Sequence, residues 1–407
     1  MTTTTEGPDQ IHIRSSSAQP TSPPPWATPS AHKDGGALRA EPTQMTALRS
    51  SAPLKALHFP ADRGFQQALL RRVNDYFASV APRRAQGDAG LHLKTALILG
   101  ASASCYALLL VSSRWWQAVP LAVALGFLAA LIGFNIQHDG GHRAYSPVPW
   151  RNRLAAATLD LIGGSSYLWH WKHAVFHHGR ANVSGHDTDI SVGRLVRLEP
   201  QQRREFFHRW QFIYIWALYG LMTVRWQCYD DFREVIGGAI GPHRIPRPRG
   251  IELTIFAVGK LLFIGLAFGV PLLFQPPWCV LLGYLIASAT LGITLAVVFQ
   301  LAHNTALVEF PAAPAASGLM PHSWAEHQVL TAADFSRSNS VLTWLLGGLN
   351  FQIEHHLLPH ISHVHYPALS PLVEATCREH GLPYREHRSL ASGLAAHVAW
   401  LRHLGRG

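Results

Sequence analysis

Gln352-Ile353-Glu354-His355-His356 is the last of three histidine clusters in a largely apolar chain. The first is His138-Asp139-Gly140-Gly141-His142 and the second is His173-Ala174-Val175-Phe176-His177-His178. Working outward from these clusters, uncharged runs cover residues 95–111, 115–136 and 261–302. A spanning helix needs about 20 apolar residues to cross a hydrocarbon core of roughly 30 Å. The chain therefore has room for two hairpins of spanning helices, 95–111 with 115–136 and about 253–274 with 280–300. Imidazole clusters beside such runs point to an integral membrane protein with a metal site near one membrane face.

Parity places the clusters together. Each hairpin starts and ends on the same side, so the first cluster, the second cluster, His303 and the third cluster all share one face. Arg83, Arg84, Lys94, Arg143, Arg151, Arg153, Arg244, Arg247 and Arg249 flank that face, against Arg114 on the other. The positive-inside rule makes the crowded face cytosolic, together with both termini. Segments 154–168 and 210–223 are apolar but short and aromatic-rich, which suits core or half-inserted helices better than further spans. Lys260 falls inside the third span, where snorkelling to the cytosolic surface would accommodate it.

The rest of the composition narrows the class. Of the 407 residues 48% are hydrophobic and 14% charged, with a net charge of +10. No Lys/Arg cluster interleaved with aromatics marks a nucleic-acid surface. A basic face suits anionic lipid headgroups or an acidic redox partner, although positive-inside topology alone accounts for it. Cys105, Cys228, Cys279 and Cys377 are isolated, so neither a disulfide framework nor a zinc ribbon is supported. Residues 1–48 are rich in Thr, Ser, Pro and Ala and read as disordered. Phe65, Leu69, Leu70, Val73 and Phe77 recur at helical spacing, an amphipathic helix ahead of the membrane.

On an α-helix, His138 and His142, His173 and His177, and Gln352 and His356 each share a face. His178 and His355 sit beside those stripes. One such pair is weak evidence, since paired histidines often only cap or hydrogen-bond, but three on one membrane face indicate a metal centre. The number of imidazoles exceeds what one tetrahedral ion uses, so two metals are expected. Asp139, Glu354, Asp187 and Asp189 are the carboxylates that would accept the free ring N–H of a ligating histidine, or serve as ordinary solvated acids.

In these boxes the chain resembles the membrane fatty acid desaturases, in the branch whose third box begins with Gln. The matching stretches are Gln137-His-Asp-Gly-Gly-His142, Trp171-Lys-His-Ala-Val-Phe-His-His178 and Gly185-His-Asp-Thr-Asp-Ile190. Phe299-Gln-Leu-Ala-His303, Trp324-Ala-Glu-His-Gln328, Gly347–Ile361 and His363-Val-His-Tyr-Pro367 continue the match. The resemblance covers about residues 60–390. It implies an all-α integral membrane fold, with four transmembrane helices in two hairpins and a helical cytosolic cap holding a histidine-ligated diiron site. Residues 49–94 then form a pre-membrane region, 95–390 the catalytic domain and 391–407 a C-terminal tail.

The implied iron ligands are His138, His142, His173, His177, His178, His303, His355 and His356. Gln352 stands where many acyl-CoA desaturases place a further histidine, as a ligand, through water, or as a supporting group. His186, His360 and His363 are candidates for one more ligand, while His170 and His365 are expected to be structural. The implied reaction is oxygen-dependent insertion of a cis double bond into a fatty acyl chain, presented as acyl-CoA or phospholipid. Two Fe ions serve as cofactor and O2 as co-substrate. No His-Pro-Gly-Gly heme motif occurs, so no bound heme is expected, and electrons come from a separate ferredoxin, cytochrome or flavoprotein. Competing readings are a lipid hydroxylase with the same boxes and a metal transporter. Transporters place ligands near mid-bilayer on broken helices, unlike boxes at span ends.

Overall fold

A computed structural model of the chain describes residues 56–80, 85–314 and 317–407. The segment 1–48 expected to be disordered, and Arg83 and Arg84, lie outside the described residues. Helix α1 (Phe65–Ser79) buries Phe65, Leu69, Val73 and Phe77. Their partners are Val329, Ile353, Leu357, Leu369 and Val373, so this amphipathic helix packs onto the histidine-bearing cap.

Among the described residues, four helices are long and apolar enough to cross a membrane: α2 (Ala89–Val111), α3 (Trp115–Gly141), and further along the chain Ile251–Leu273 and Pro277–His303. The chain is an integral membrane protein with four such helices in two hairpins. The Asp88 side chain starts α2 by accepting the Leu91 N–H at 3.0 Å, which satisfies one orphan donor of the first turn. The helix α3 runs past residue 136, the end expected from the apolar run, and delivers His138 on its last turn.

Next in the chain, α4 (Gln211–Arg225) continues through a π-turn into the helix Asp231–Gly237. It is not one of the four span candidates, as its aromatic-rich composition led us to expect. It packs along a spanning helix, where the Thr223 hydroxyl donates to the Ser288 carbonyl at 2.7 Å. The second hairpin is α5 (Ile251–Leu273) and α6 (Pro277–His303). Proline at the first position of α6 suits a helix start, where no N–H partner is needed. At the end far from the boxes the Gln275 amide donates to the carbonyls of Leu110 and Ser112 at 2.7 and 3.0 Å, tying the two hairpin turns together.

Lys260 does not snorkel. Its ammonium is buried, 2.6 Å from Asp231 Oδ2, and donates to the Gly163 carbonyl at 2.7 Å. A charge buried within a spanning helix is held by an internal acid and a carbonyl. The partner lies on the helix after α4, 29 residues earlier in the chain, beyond the reach of any local pattern.

The cap is completed by α7 (Trp324–Thr331), α8 (Gln352–Leu357), α9 (Tyr366–Glu379) and α10 (Leu390–Arg406). Of the stretch 391–407, expected as a tail, the residues up to Arg406 are therefore helix. It buries His397, Leu401 and Leu404, and the Gln211 amide donates to its Leu401 carbonyl at 2.9 Å. Two short strand pairs add local ties. β1 (Ala239–Ile240) pairs antiparallel with β2 (His243–Arg244). β3 (Asp334–Phe335) pairs parallel with β4 (Glu386–His387) and brings the segment around Tyr384 beside α8.

Candidate metal centre

Each histidine box rests on a specific local backbone. The first lies at the end of α3, where the chain turns back against the helix Pro149–Ala156. Its glycine pair is needed for that approach. A Cβ on Gly140 would meet the Ala156 nitrogen at 2.5 Å, and one on Gly141 would meet the Trp169 ring at 2.1 Å. The second box is π-helical over His170–His177 rather than α-helical. In a π-helix residues five apart replace residues four apart as neighbours along the axis. His173 and His178 accordingly bring their Nε2 atoms to 3.2 Å. His303 is the last residue of α6, and α8 carries Gln352, His355 and His356.

These elements converge on two adjacent groups of buried rings. One ring nitrogen from each of His138, His142, His173 and His355 lies within 4.8 Å of the others. The same holds for His177, His303 and His356. The Nε2 atoms of His138 and His173 are 3.3 Å apart, and those of His303 and His356 are 3.1 Å apart. His178 stands between the groups, with its ring 4.6 Å from that of His355 and stacked at 4.4 Å on that of His356. The pair His173 and His177, which share a face on an α-helix, is thus divided between groups. So are the neighbours His355 and His356. The Gln352 Oε1 atom faces the second group, 3.2 Å from His303 Nε2, while its amide donates to the Leu349 carbonyl.

The surrounding hydrogen bonds orient the second group. His177 Nδ1–H donates to Asp187 Oδ2 at 3.0 Å, His303 Nδ1–H to the Thr331 carbonyl at 3.0 Å, and His356 Nδ1–H to Gln328 Oε1 at 2.8 Å. With Nδ1 used as donor, Nε2 keeps its lone pair for the centre. Asp187 is itself fixed by the N–H groups of Asn182 and Asp189 at 2.8 and 2.9 Å. The first group is packed instead. Trp169 lies against His138, His142 and His173, with ring centres 5.7, 5.1 and 4.7 Å away. His355 Nδ1 is 3.3 Å from the Tyr366 hydroxyl.

The remaining candidates fall elsewhere. Asp189 joins His173 and His177 in a third set of close ligand atoms and lies 3.7 Å from His177 Nδ1. Asp139 accepts from the Ser362 hydroxyl and faces His363 Nδ1 at 3.0 Å. Glu354 accepts from Tyr384 at 2.7 Å. Neither carboxylate is hydrogen-bonded to a ring of the two groups, because each box turns that side chain away from its histidines. The His186 carbonyl accepts from His243 Nε2 and its ring lies against that of His243, while His360 donates to the His142 carbonyl. His170 lies against Trp171 and His365 against Phe77. Gln328, Thr331 and Tyr366 were not singled out as ring partners from sequence. Gln328 stood in a matched stretch, but it precedes His356 by 28 residues and carries no spacing signal.

The donor set fits metal ions. Burial and the neighbouring rings hold the pKa values of His142, His173, His178, His355 and His356 well below that of an ordinary imidazole. Neutral rings are the form that binds a metal. His142 Nε2 and His355 Nε2 are buried with no hydrogen-bond partner, a costly state for a ring nitrogen that a bound cation would relieve. Imidazole suits iron, zinc, copper or nickel.

Residues 114–388 match the fatty acid desaturase family. The chain is 35% identical over 357 residues to an sn-1 linoleoyl-lipid 6-desaturase of Synechocystis sp., covering 86% of this chain and 98% of that protein. An enzyme of the same description from Arthrospira platensis is 35% identical, with 83% and 92% covered. An acyl-lipid (8-3)-desaturase of Physcomitrium patens is 37% identical, with 84% and 72% covered.

Proposed function

The chain belongs to the fatty acid desaturase family, and from that premise we propose a diiron acyl-lipid desaturase acting on chains that are already unsaturated. The new cis double bond enters a C16–C18 chain between an existing double bond and the carboxyl end. Supporting this reading are the relatives named for linoleoyl-lipid and acyl-lipid substrates, and the Gln352 that opens the third box. The observation that carries it is the pair of adjacent, buried imidazole groups at the mouth of the hairpins.

In this reading one iron is held by His138, His142, His173 and His355 and the other by His177, His303 and His356, with His178 between them. Bound iron would supply the oxygen-dependent redox chemistry that side chains lack, since an unactivated methylene is beyond acid–base groups. The chain's own residues do the rest. Asp187, Gln328 and the Thr331 carbonyl hold their rings in one tautomer, and Gln352 places a polar oxygen beside His303. Trp169, Phe134 and Phe299 surround the rings and the adjoining core and keep water away. The reaction needs one C–C bond of the acyl chain held beside the rings, an orientation that binding of the chain would supply. Desaturation converts the acyl chain, O2, two electrons and two protons into the alkene and two waters. The electrons come from a separate ferredoxin, cytochrome or flavoprotein. The catalytic unit is residues 95–390, extended by α10.

The cap faces the cytosol. Lys94, Arg143, Arg151, Arg153, Arg244, Arg247 and Arg249 lie toward it and Arg114 at the opposite turn, which favours this orientation by the positive-inside rule. With Cys279 replaced by Ser, a cysteine at Ser113 is expected to label from outside intact cells and one at the exposed Ala391 is not. The reverse pattern would refute the orientation.

The deciding experiment expresses the chain in cells fed defined fatty acids and locates new double bonds by mass spectrometry. Unsaturated chains should gain a bond on the carboxyl side. Conversion of saturated chains alone would refute the positional reading, and a hydroxylated product would replace desaturation with hydroxylation.

A further inference from the structure

Behind the third box, the buried acids Asp334 and Glu354 form a cluster with the half-buried Tyr384 that has no place among the imidazoles. Tyr384 precedes β4, whose pairing with β3 carries this late part of the chain onto α8. Its hydroxyl is 2.7 Å from Glu354 Oε1, within hydrogen-bond distance of Asp334 Oδ2, and 3.0 Å from the Ser370 hydroxyl. Asp334 and Glu354 are both fully buried, and Glu354 Oε2 has no hydrogen-bond partner. Asp334 Oδ1 accepts the Ile353 N–H at 2.9 Å. The guanidinium of Arg337 lies 4.8 Å over the Tyr384 ring and 3.9 Å from Asp334, which places a positive charge beside the two acids.

Two contacts therefore reach consecutive residues of α8, one at the Ile353 backbone and one at the Glu354 side chain. The next two residues, His355 and His356, belong to different histidine groups. A helix of six residues has little cooperative stability of its own, so its rotation is set from outside. Each residue turns the helix by about 100°, so a modest rotation of α8 displaces both rings from their groups at once.

We propose that Tyr384 is a positioning residue for the metal centre, its hydroxyl bridging Glu354 and Asp334 by donating its one proton to one acid and accepting from the carboxyl proton of the other, so that α8 presents His355 and His356 to two separate ions. The assignment rests on reading the histidine groups as metal sites. It does not depend on which bond of the acyl chain is attacked.

Cobalt(II) titration of the purified, metal-free protein tests it, read by affinity and by the d–d absorption bands. Tyr384→Phe keeps the ring beneath Arg337 and removes only the hydroxyl. It should weaken cobalt binding about 10- to 100-fold, the usual effect of losing an outer support, and change the bands. Glu354→Gln keeps an acceptor oxygen for Tyr384 and should stay near wild type, whereas Glu354→Leu should match Tyr384→Phe. Arg72→Ala breaks an ion pair with Glu379 at 2.7 Å between α1 and α9 and should leave cobalt binding unchanged. Wild-type affinity and bands in Tyr384→Phe would overturn the assignment, as would an equal loss in Arg72→Ala. If Tyr384→Phe does not fold, the two Glu354 variants decide, and equal affinity between them overturns it. A wild-type chain that binds no cobalt overturns it together with the metal sites. Normal cobalt binding by a chain that desaturates no fatty acid when expressed in iron-replete cells would instead overturn the function and leave the clamp standing.

Discussion

The rings of His177, His303 and His356 each give a ring N–H to a fixed acceptor, while those of His138, His142 and His173 are held mainly by one another and by Trp169. The two groups offer similar donors at similar burial, yet they are built differently. In the first the rings are aimed by close packing, for which glycines at 140 and 141 clear the space. In the second they are aimed by hydrogen bonds that select the tautomer. Losing a ring should therefore harm both groups alike, whereas losing a support should harm them unequally.

The largest effect tests the symmetric half of that statement. His142→Ala in the first group and His356→Ala in the second should each reduce desaturation to background, with the protein still inserted in the membrane. Wild-type protein should carry about two irons per chain, because so many imidazoles exceed the four ligands of one tetrahedral ion. Metal analysis and fatty acid profiles measure both. Full activity in either variant would remove its group from the centre, and stoichiometric zinc without iron in active protein would remove the diiron reading.

Gln352 comes next. Its oxygen faces His303 Nε2 at 3.2 Å, on the hydrogen-bonded side of the centre. Gln352→Leu should lose most activity, because no polar atom remains to ligate or to hold a bridging water. Gln352→His should retain part of it, since imidazole can supply a nitrogen in the same place. Equal activity in the two variants would mean that Gln352 only fills space.

Supports separate the groups. Asp187→Asn should weaken metal binding about 10- to 100-fold, because an amide can present its N–H to His177 Nδ1 and reverse the tautomer. Trp169→Leu should cost less in affinity and more in thermal stability. Similar losses of affinity from the two substitutions would erase the distinction.

Much of this arrangement could be read in the sequence, and the parts that could not have physical reasons. The spans were legible because the bilayer demands long uncharged runs, and parity then forced the clusters onto one face. Which rings pair was not legible. The spacing of His173 and His177 suggests the closest pair only if the backbone is α-helical, and with the π-helical turn it is His178 that brings its Nε2 to 3.2 Å from His173, while His177 also joins His303 and His356. Of the ring acceptors, Asp187 was legible as a carboxylate beside the boxes and does accept from His177, whereas Gln328 and Thr331 were hidden because they lie on a separate helix of the cap. Carboxylates adjacent to the boxes looked like the natural acceptors. Yet a neighbour in sequence projects away from its histidine, and Asp139 and Glu354 found Ser362 and Tyr384 instead. Lys260 needed Asp231, a partner that only the folded chain brings near.

The smallest effect belongs to a histidine outside both groups. His365 is buried beside the third box, close in sequence to His355 and His356, and its ring meets Phe77 edge-on at 5.1 Å. From sequence it is expected to be structural despite that proximity. Its ring is not among the sets of ligand atoms that converge, and it packs toward α1 and the apolar core of the cap. His365→Ala should therefore cost stability of about 1–3 kcal/mol, as deletion of a buried side chain does, and lower the melting temperature. Metal content should stay at the wild-type value, with measurable desaturation. If metal were lost in step with stability in this variant, but not in a variant such as Val73→Ala from the same cap core, His365 would have to be counted with the rings. The division into two groups would then be incomplete.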